Sequence, residues 1–340
     1  MPGTPEETPA AFVTRMMDGV LVAQLIHVIA ELGVADALGA GPLPVDDLAK
    51  RVGANPDGLY RALRTLATVG IFTETASRTF ALTPPAAALR QDAPNSVRAI
   101  ARMRGGREHW QTWTELGHSI RTGRSAFRHV HGTDLWSYLA DHPETAETFD
   151  SAMGDNAQQV HAVTAEAYDF SSVKRVVDVG GGHGYLVAGL LKKHPELTAV
   201  VFDQEHTAHG AGQVLADAGV RDRAEVVAGD FFASVPPGGD VYVLSRILHD
   251  WDDSSARRIL GNVRAALTPG AEVIVVDAVV PEGDRPHPAK MADIIMLALN
   301  EGRERTEAEF AALFETAGLR HTRTLRPDSP VSLVLAEAAD

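Results

Sequence analysis

Four places in the second half of this chain bring chemically capable residues to the end of an apolar run. Val176-Val177-Asp178-Val179 leads into Gly180-Gly181-Gly182-His183-Gly184. A second run ends in Phe202-Asp203, a third in Gly229-Asp230-Phe231-Phe232, and a fourth in Ser245-Arg246-Ile247-Leu248-His249-Asp250-Trp251. Taken singly, each is an ordinary turn or loop; in order, they outline a binding site. Glycines at a strand-to-helix turn let the backbone approach a ligand closely. A dinucleotide fingerprint requires glycine at its first, third and sixth positions. Counting from Gly180, the sixth position is Tyr185, so the spacing is Gly-x-Gly-x-Gly, with Asp178 two residues before it. An anion there repels a pyrophosphate and favours a ligand with a cationic end, such as the ammonium of a methionyl group. Asp203 follows Gly180 by 23 residues, near the spacing of a ribose-binding carboxylate. Asp230 could accept from an adenine amino group, and Phe231 could pack on the ring. His249 carries the side chain that titrates near neutrality and could take a proton from a hydroxyl.

These residues need a scaffold that brings strand ends together. From residue 174 on, strands are expected at Arg175–Val179, Thr198–Phe202, Ala224–Ala228, Asp240–Leu244 and Val273–Val276. Helices at 185–194, 207–219 and 253–267 separate them. That alternation predicts an α/β fold, a parallel Rossmann-like sheet with helices on both faces and ligands at the carboxyl edge. Helices near 289–299 and 306–317 follow, then strands near 319–324 and 331–336 that could form an antiparallel hairpin at one edge.

The first half reads as mostly helical. Residues 10–38 predict a helix, and Phe12, Val13, Met16, Met17, Val20, Leu21, Leu25, Val28, Ile29 and Leu32 cover most of its surface. Such a helix must be buried on several sides, within its own chain or in a subunit interface. Residues 43–83 show two short helices and a hairpin around Ala76-Ser77-Arg78, a winged-helix pattern. Residues 95–170 are helical and aromatic. Phe149, Met153 and Asn156 share one helix face, and an amide on an apolar face wants a partner, such as a ligand hydroxyl.

Composition narrows the possibilities. The chain has 340 residues, a net charge of −14 and no cysteine, which excludes disulfides, thiolate-bound metal and thiol catalysis. Residues 1–104 hold ten acids and ten bases, and the winged-helix segment 43–83 is only +1. That is a poor footprint for phosphate, so nucleic acid is not expected as a partner. The stretch Gly19–Leu38 is interrupted by Gln24, His27, Glu31, Gly33 and Asp36, so no membrane span is expected. The acidic start MPGTPEETPA is unlike a signal peptide, and a cytoplasmic location is expected.

Together, Asp178 to Gly184, Asp203, Gly229 to Phe232 and Leu248-His249-Asp250-Trp251 resemble the S-adenosylmethionine-dependent small-molecule O-methyltransferases of class I fold. The likeness is to the plant-type enzymes and the bacterial ones that methylate phenolic natural products, and it runs over nearly the whole chain. It implies a dimerising helical region with the winged-helix module over 1–104, a helical substrate-pocket region over 105–170, and a cofactor-binding catalytic domain over 171–340. It implies S-adenosylmethionine held by Asp178, Gly180, Gly182, Gly184, Asp203, Gly229, Asp230 and Phe231, with Ser245 and Arg246 beside it. Ser245 stands where many plant relatives carry Lys. The acceptor would be a hydroxylated aromatic, phenolic or polyketide-type molecule of secondary metabolism. Its pocket candidates are Trp110, Phe149, Met153, Asn156, Met296 and Asn300.

The implied catalytic set is His249 as general base, flanked by Asp277 and Glu304. Plant members usually have Glu where Asp277 stands; Asp is one methylene shorter and reaches less far toward His249. Asp250 is the neighbouring alternative, but adjacent side chains on a helix diverge, so it is read as a helix N-cap. His249 makes a metal unnecessary, and none is expected. The rivals are a ligand-responsive winged-helix regulator, an NAD-dependent oxidoreductase, and a methyltransferase acting by proximity without a base. A homodimer through the N-terminal region is expected.

Overall fold

The computed structural model describes residues 7–339, except for the side chains of residues 155–159, 206, 208 and 209. It divides into two compact units: residues 1–111 with 136–155, and residues 112–135 with 156–340. The aromatic helical stretch 105–170 is thus shared between them.

In the first unit, helix α1 spans Pro9–Glu31, with Pro9 in its first turn and Thr8 capping it through Ala11 N–H. The single helix expected over 10–38 is broken: Gly33 takes φ 66°, and a separate short helix follows at Val34–Ala37. Apolar spacing runs unbroken across that glycine, so periodicity could not reveal the stop. Only Ile29 and Ala30 of α1 are buried. Phe12, Val13, Met16, Met17, Val20, Leu21 and Val28 are all exposed, Met17 by 70% and Leu21 by 63%. By length and composition α1 is also apolar enough to cross a membrane, although it carries Arg15, Asp18, Gln24, His27 and Glu31 along its length.

Helices α2 (Val45–Val52) and α3 (Pro56–Thr68) come next, then strands β1 (Phe72–Ala76) and β2 (Thr79–Leu82). The helix, helix and hairpin order read from residues 43–83 is therefore present. Leu43–Pro44 adds a third strand on the outer side of β2. Leu48, Leu59, Leu63, Leu66, Phe72 and Phe80 form its core.

The second unit is built on seven strands: β3 (Arg175–Val179), β4 (Thr198–Asp203), β5 (Ala224–Ala228), β6 (Val241–Ser245), β7 (Glu272–Asp277), β8 (Leu319–Leu325) and β9 (Ser332–Ala338). Their spatial order is β5-β4-β3-β6-β7-β9-β8. The first five are mutually parallel, and β9 runs antiparallel between β7 and β8, so the closing hairpin lies at one edge. β3, β6 and β7 are buried nearly end to end, which is why they read as continuous Val and Ile runs. The intervening helices are α4 (Tyr185–Lys193), α5 (Glu205–Asp217), α6 (Asp253–Ala266), α7 (Pro288–Asn300) and α8 (Glu307–Thr316). On α6, Ala256, Ile259, Leu260 and Val263 recur at helical spacing and are fully buried. Each large side chain among them contributes about 1.5–3 kcal/mol relative to exposure.

The order reverses at β3: the chain goes first to β4 on one side, then to β6 on the other. Ligands in doubly wound sheets bind at the carboxyl ends of the strands at such a switch point. The glycine loop and Ser245 lie at the ends of those two strands.

Candidate active site

The glycine loop turns tightly against its neighbours. Gly180 and Gly181 N–H both donate to the Phe202 carbonyl, at 2.8 and 3.2 Å. Gly180 has φ 74°, and a Cβ there would collide with Ile247 Cδ1. Gly182 has φ 57° with open space around it, so its backbone is accessible to a ligand. Asp203 braces the loop: Oδ2 accepts from Gly182 N–H at 2.8 Å and Oδ1 from Gln204 N–H at 2.7 Å. Gly184 caps α4 in the left-handed region.

Asp178 is 1% exposed, and its Oδ1 has no partner among the described residues. Burial, then the nearby charge of Asp203, pushes its carboxyl up to about 7. A buried acceptor without a donor is costly and calls for a donor or cationic ligand. Gly229 packs beneath the Phe202 ring, leaving no room for a Cβ. Asp230 is exposed and accepts from Phe232 N–H at 2.8 Å. Phe231 stands edge-on to Phe232 and Trp251. Ser245 ends β6, and Arg246 follows with φ 60°.

His249 lies in a single 3₁₀ turn, Leu248–Asp250, and is 4% exposed. Its Nδ1 is 2.9 Å from Glu304 Oε1 and 3.9 Å from Asp277 Oδ1. Only the first is a hydrogen bond. Glu304 is itself held by Asp293, whose Oδ1 accepts its N–H at 3.0 Å. Burial raises the Glu304 carboxyl, but the hydrogen bond and charge of His249, then Arg246 and Arg305, hold it below the usual range. An ionised carboxylate only accepts, so in the neutral imidazole the proton sits on Nδ1 and Nε2 presents its lone pair. Burial and then the Arg246 charge pull the imidazole pKa down. Asp277, Asp250 and the Glu304 bond outweigh them, and the pKa is held above its ordinary value. Asp277 is 1% exposed with both oxygens unpartnered among the described residues, and burial raises it to about 7.

The reading of Asp250 as a helix cap is corrected. Asp252 caps α6, accepting from Ser255 N–H at 2.7 Å. Asp250 points inward, 3.8 Å from His249 Nε2, because the tight turn does not splay neighbours as an α-helix would. Asn300 Nδ2 donates to its Oδ1 at 2.9 Å. Asn300 thus reaches the His249 ring through Asp250, and its own buried Oδ1 has no partner among the described residues. Met296, four residues earlier on α7, is half-buried. Trp110, Phe149 and Met153 belong to the first unit. The Asn156 side chain lies outside the described residues.

Two residues to which the sequence reading gives no role complete this turn. A Cβ on Gly302 would collide with the His249 carbonyl oxygen. Arg305, 1% exposed, donates to the carbonyls of Leu248 and Trp251. Arg303 N–H adds a bond to the His249 carbonyl at 2.8 Å.

Residues 113–320 match the O-methyltransferase domain model, and residues 14–92 match the O-methyltransferase dimerisation domain model. The chain belongs to the O-methyltransferase family. This methyltransferase is 42% identical to a phenazine O-methyltransferase of Lysobacter antibioticus over 96% of each chain. It is 38% identical to the mitomycin biosynthesis 6-O-methyltransferase of Streptomyces lavendulae, covering 95% of this chain and 93% of that one. Among solved structures, it resembles an O-methyltransferase from neocarzinostatin biosynthesis in complex with S-adenosylmethionine and 2-hydroxy-5-methyl naphthoic acid. That match has a TM-score of 0.81 and 37% identity, and covers 93% of this chain and 95% of that one.

Proposed function

We propose that this O-methyltransferase transfers the methyl group of S-adenosylmethionine to a hydroxyl of an aromatic small molecule of secondary metabolism, with His249 as general base. The observation that carries the base assignment is the 2.9 Å bond from His249 Nδ1 to Glu304, which leaves Nε2 to accept.

The donor set fits the cofactor. Buried Asp178 meets a cationic amino-acid end, and the open backbone at Gly182 allows close approach. Asp203 retains lone pairs for ribose hydroxyls, with Asp230 and Phe231 next along the sheet edge for the adenine. When bound, S-adenosylmethionine supplies an electrophilic methyl on a positively charged sulfur. Nε2 of His249 takes the proton as the acceptor oxygen attacks, which raises the nucleophilicity of that oxygen. General-base help of this kind contributes about 10²–10⁴-fold. Glu304 stabilises the imidazolium, and its Asp293 contact keeps it in place. Asp250, fixed by Asn300, adds a second anion on the Nε2 side. Met296 is an adaptable, polarizable wall for a flat ring.

The exposed apolar face of α1 is proposed as a homodimer interface, in keeping with its place in the dimerisation domain, and the enzyme as cytoplasmic. The mechanism includes no metal. The test is transfer of labelled methyl to hydroxylated naphthoates, phenazines and polyketide phenols, with and without a chelator. Labelled ether product in both conditions is the expected result. Cofactor binding without transfer to any hydroxyl overturns the reading.

A further inference from the structure

Arg305 is the largest fully buried side chain described, yet it sits among polar partners rather than in the apolar core. Its guanidinium Nη1 donates to the Leu248 carbonyl at 2.9 Å, and Nη2 donates to the Trp251 carbonyl at 3.0 Å. These two carbonyls bracket His249-Asp250. Nε and Nη2 also reach Asp253 Oδ1, at 3.1 and 2.9 Å. The backbone of Arg305 is anchored in turn: its carbonyl accepts from Val280 N–H at 2.9 Å, just beyond β7. The residues before it belong to the same clamp. Arg303 N–H holds the His249 carbonyl, and Glu304 holds the imidazole. One short segment therefore both supplies the carboxylate and grips the turn that carries the base.

Burying a guanidinium costs several kcal/mol, and an apolar side chain of similar volume often gives equal or better stability. What an apolar side chain cannot do is fix two carbonyls and a carboxylate at once. The planar five-donor fork of arginine can; the single ammonium of lysine cannot.

We infer that Arg305 is a positioning residue: anchored on Asp253, it fixes the Leu248–Trp251 turn so that His249 Nδ1 stays on Glu304. The inference rests on the reading of His249 as the base. It concerns a geometry that is measurable without turnover.

The test compares Arg305→Lys and Asp253→Asn with the parent full-length protein, using Glu304→Gln as the reference. The first readout is the Nδ1 proton resonance of His249 by NMR, assigned by its loss in His249→Asn. The second is the pH dependence of kcat. Arg305→Lys is expected to weaken or abolish the resonance and to lower the His249 pKa, as Glu304→Gln does. Its kcat should fall about 10-fold to 10²-fold, the scale of a small misplacement, with KM for both substrates little changed. If Arg305→Lys does not fold, Asp253→Asn decides by the same resonance, because its side chain is 57% exposed and the change is mild. An unaltered resonance and pH profile in whichever variant folds, even with a lowered Tm, overturns the inference. Full activity in His249→Ala would instead overturn the base assignment, and the resonance would still report on the clamp.

Discussion

Glu304 Oε1 hydrogen-bonds His249 Nδ1 at 2.9 Å, whereas Asp277, on the same side of the ring, stops at 3.9 Å. The two carboxylates are therefore not equivalent. On the proposed reading, Glu304 orients the imidazole and Asp277 acts through its charge alone. Glu304→Gln should lower kcat by about 10²-fold, the low end of what general-base catalysis contributes. Asp277→Asn should cost less than about 10-fold. In the parent enzyme the acid limb of kcat should have its midpoint above 6.5, and Asp277→Asn should move it down, because Asp277 is one of the groups holding the imidazole pKa up. Steady-state kinetics across pH check each point. A larger loss in Asp277→Asn than in Glu304→Gln would reverse the assignment.

Asp178 predicts a pH dependence of cofactor binding. Its carboxyl sits near 7 in the folded protein against 3.8 ordinarily, so the folded state holds the extra proton between those values. Its ionisation thus weakens folding as pH rises from about 4 to about 7, unless a cationic ligand meets the charge. S-adenosylmethionine should therefore bind more tightly with rising pH up to about 7, by at most about 10-fold per unit, with release of a proton. Calorimetry in buffers of different ionisation enthalpy measures this. Asp178→Asn should flatten the dependence and weaken binding; a flat profile in the parent protein removes the proposed contact.

The strand ends that position the site could be read almost to the residue. Arg175–Val179 and Ala224–Ala228 match the expectation, and Thr198–Asp203 exceeds it by one. Buried parallel strands are continuous apolar runs, and here the ends of β3, β4, β5 and β7 are marked by Gly or Asp, while β6 ends at Ser245. The helix stop at Gly33 was hidden because apolar spacing continues through it. Asp250 reads as a cap from its place before a helix, and only the intervening 3₁₀ turn separates it, pointing inward, from Asp252, which caps α6. Gly302 and Arg305 lie in the segment that nominates Glu304, but the sequence assigns neither a role. They act on backbone atoms more than fifty residues away, and neither residue type announces such a contact.

Gly302→Ala tests that backbone contact. With no room for a Cβ against the His249 carbonyl, the substitution should destabilise the protein by about 1–3 kcal/mol, the range for overpacking. It should also depress kcat in the surviving folded fraction. Denaturant unfolding measures the first effect and kinetics per folded molecule the second. A neutral substitution would show that the turn can give way freely.

The exposed face of α1 predicts an oligomer. Met17 and Leu21 are more than 60% exposed, and a contiguous apolar patch of this kind marks an interaction surface. Light scattering should find a dimer at micromolar protein, and Met17→Glu with Leu21→Glu should give monomers. A parent protein that is already monomeric removes the interface.

The most direct test of the whole account is methyl transfer by His249→Ala, measured with labelled S-adenosylmethionine and a phenolic acceptor that the parent enzyme methylates. The account predicts a fall in kcat of about 10²–10⁴-fold, with cofactor affinity by calorimetry unchanged. Turnover equal to the parent's in a variant that still binds the cofactor would contradict it.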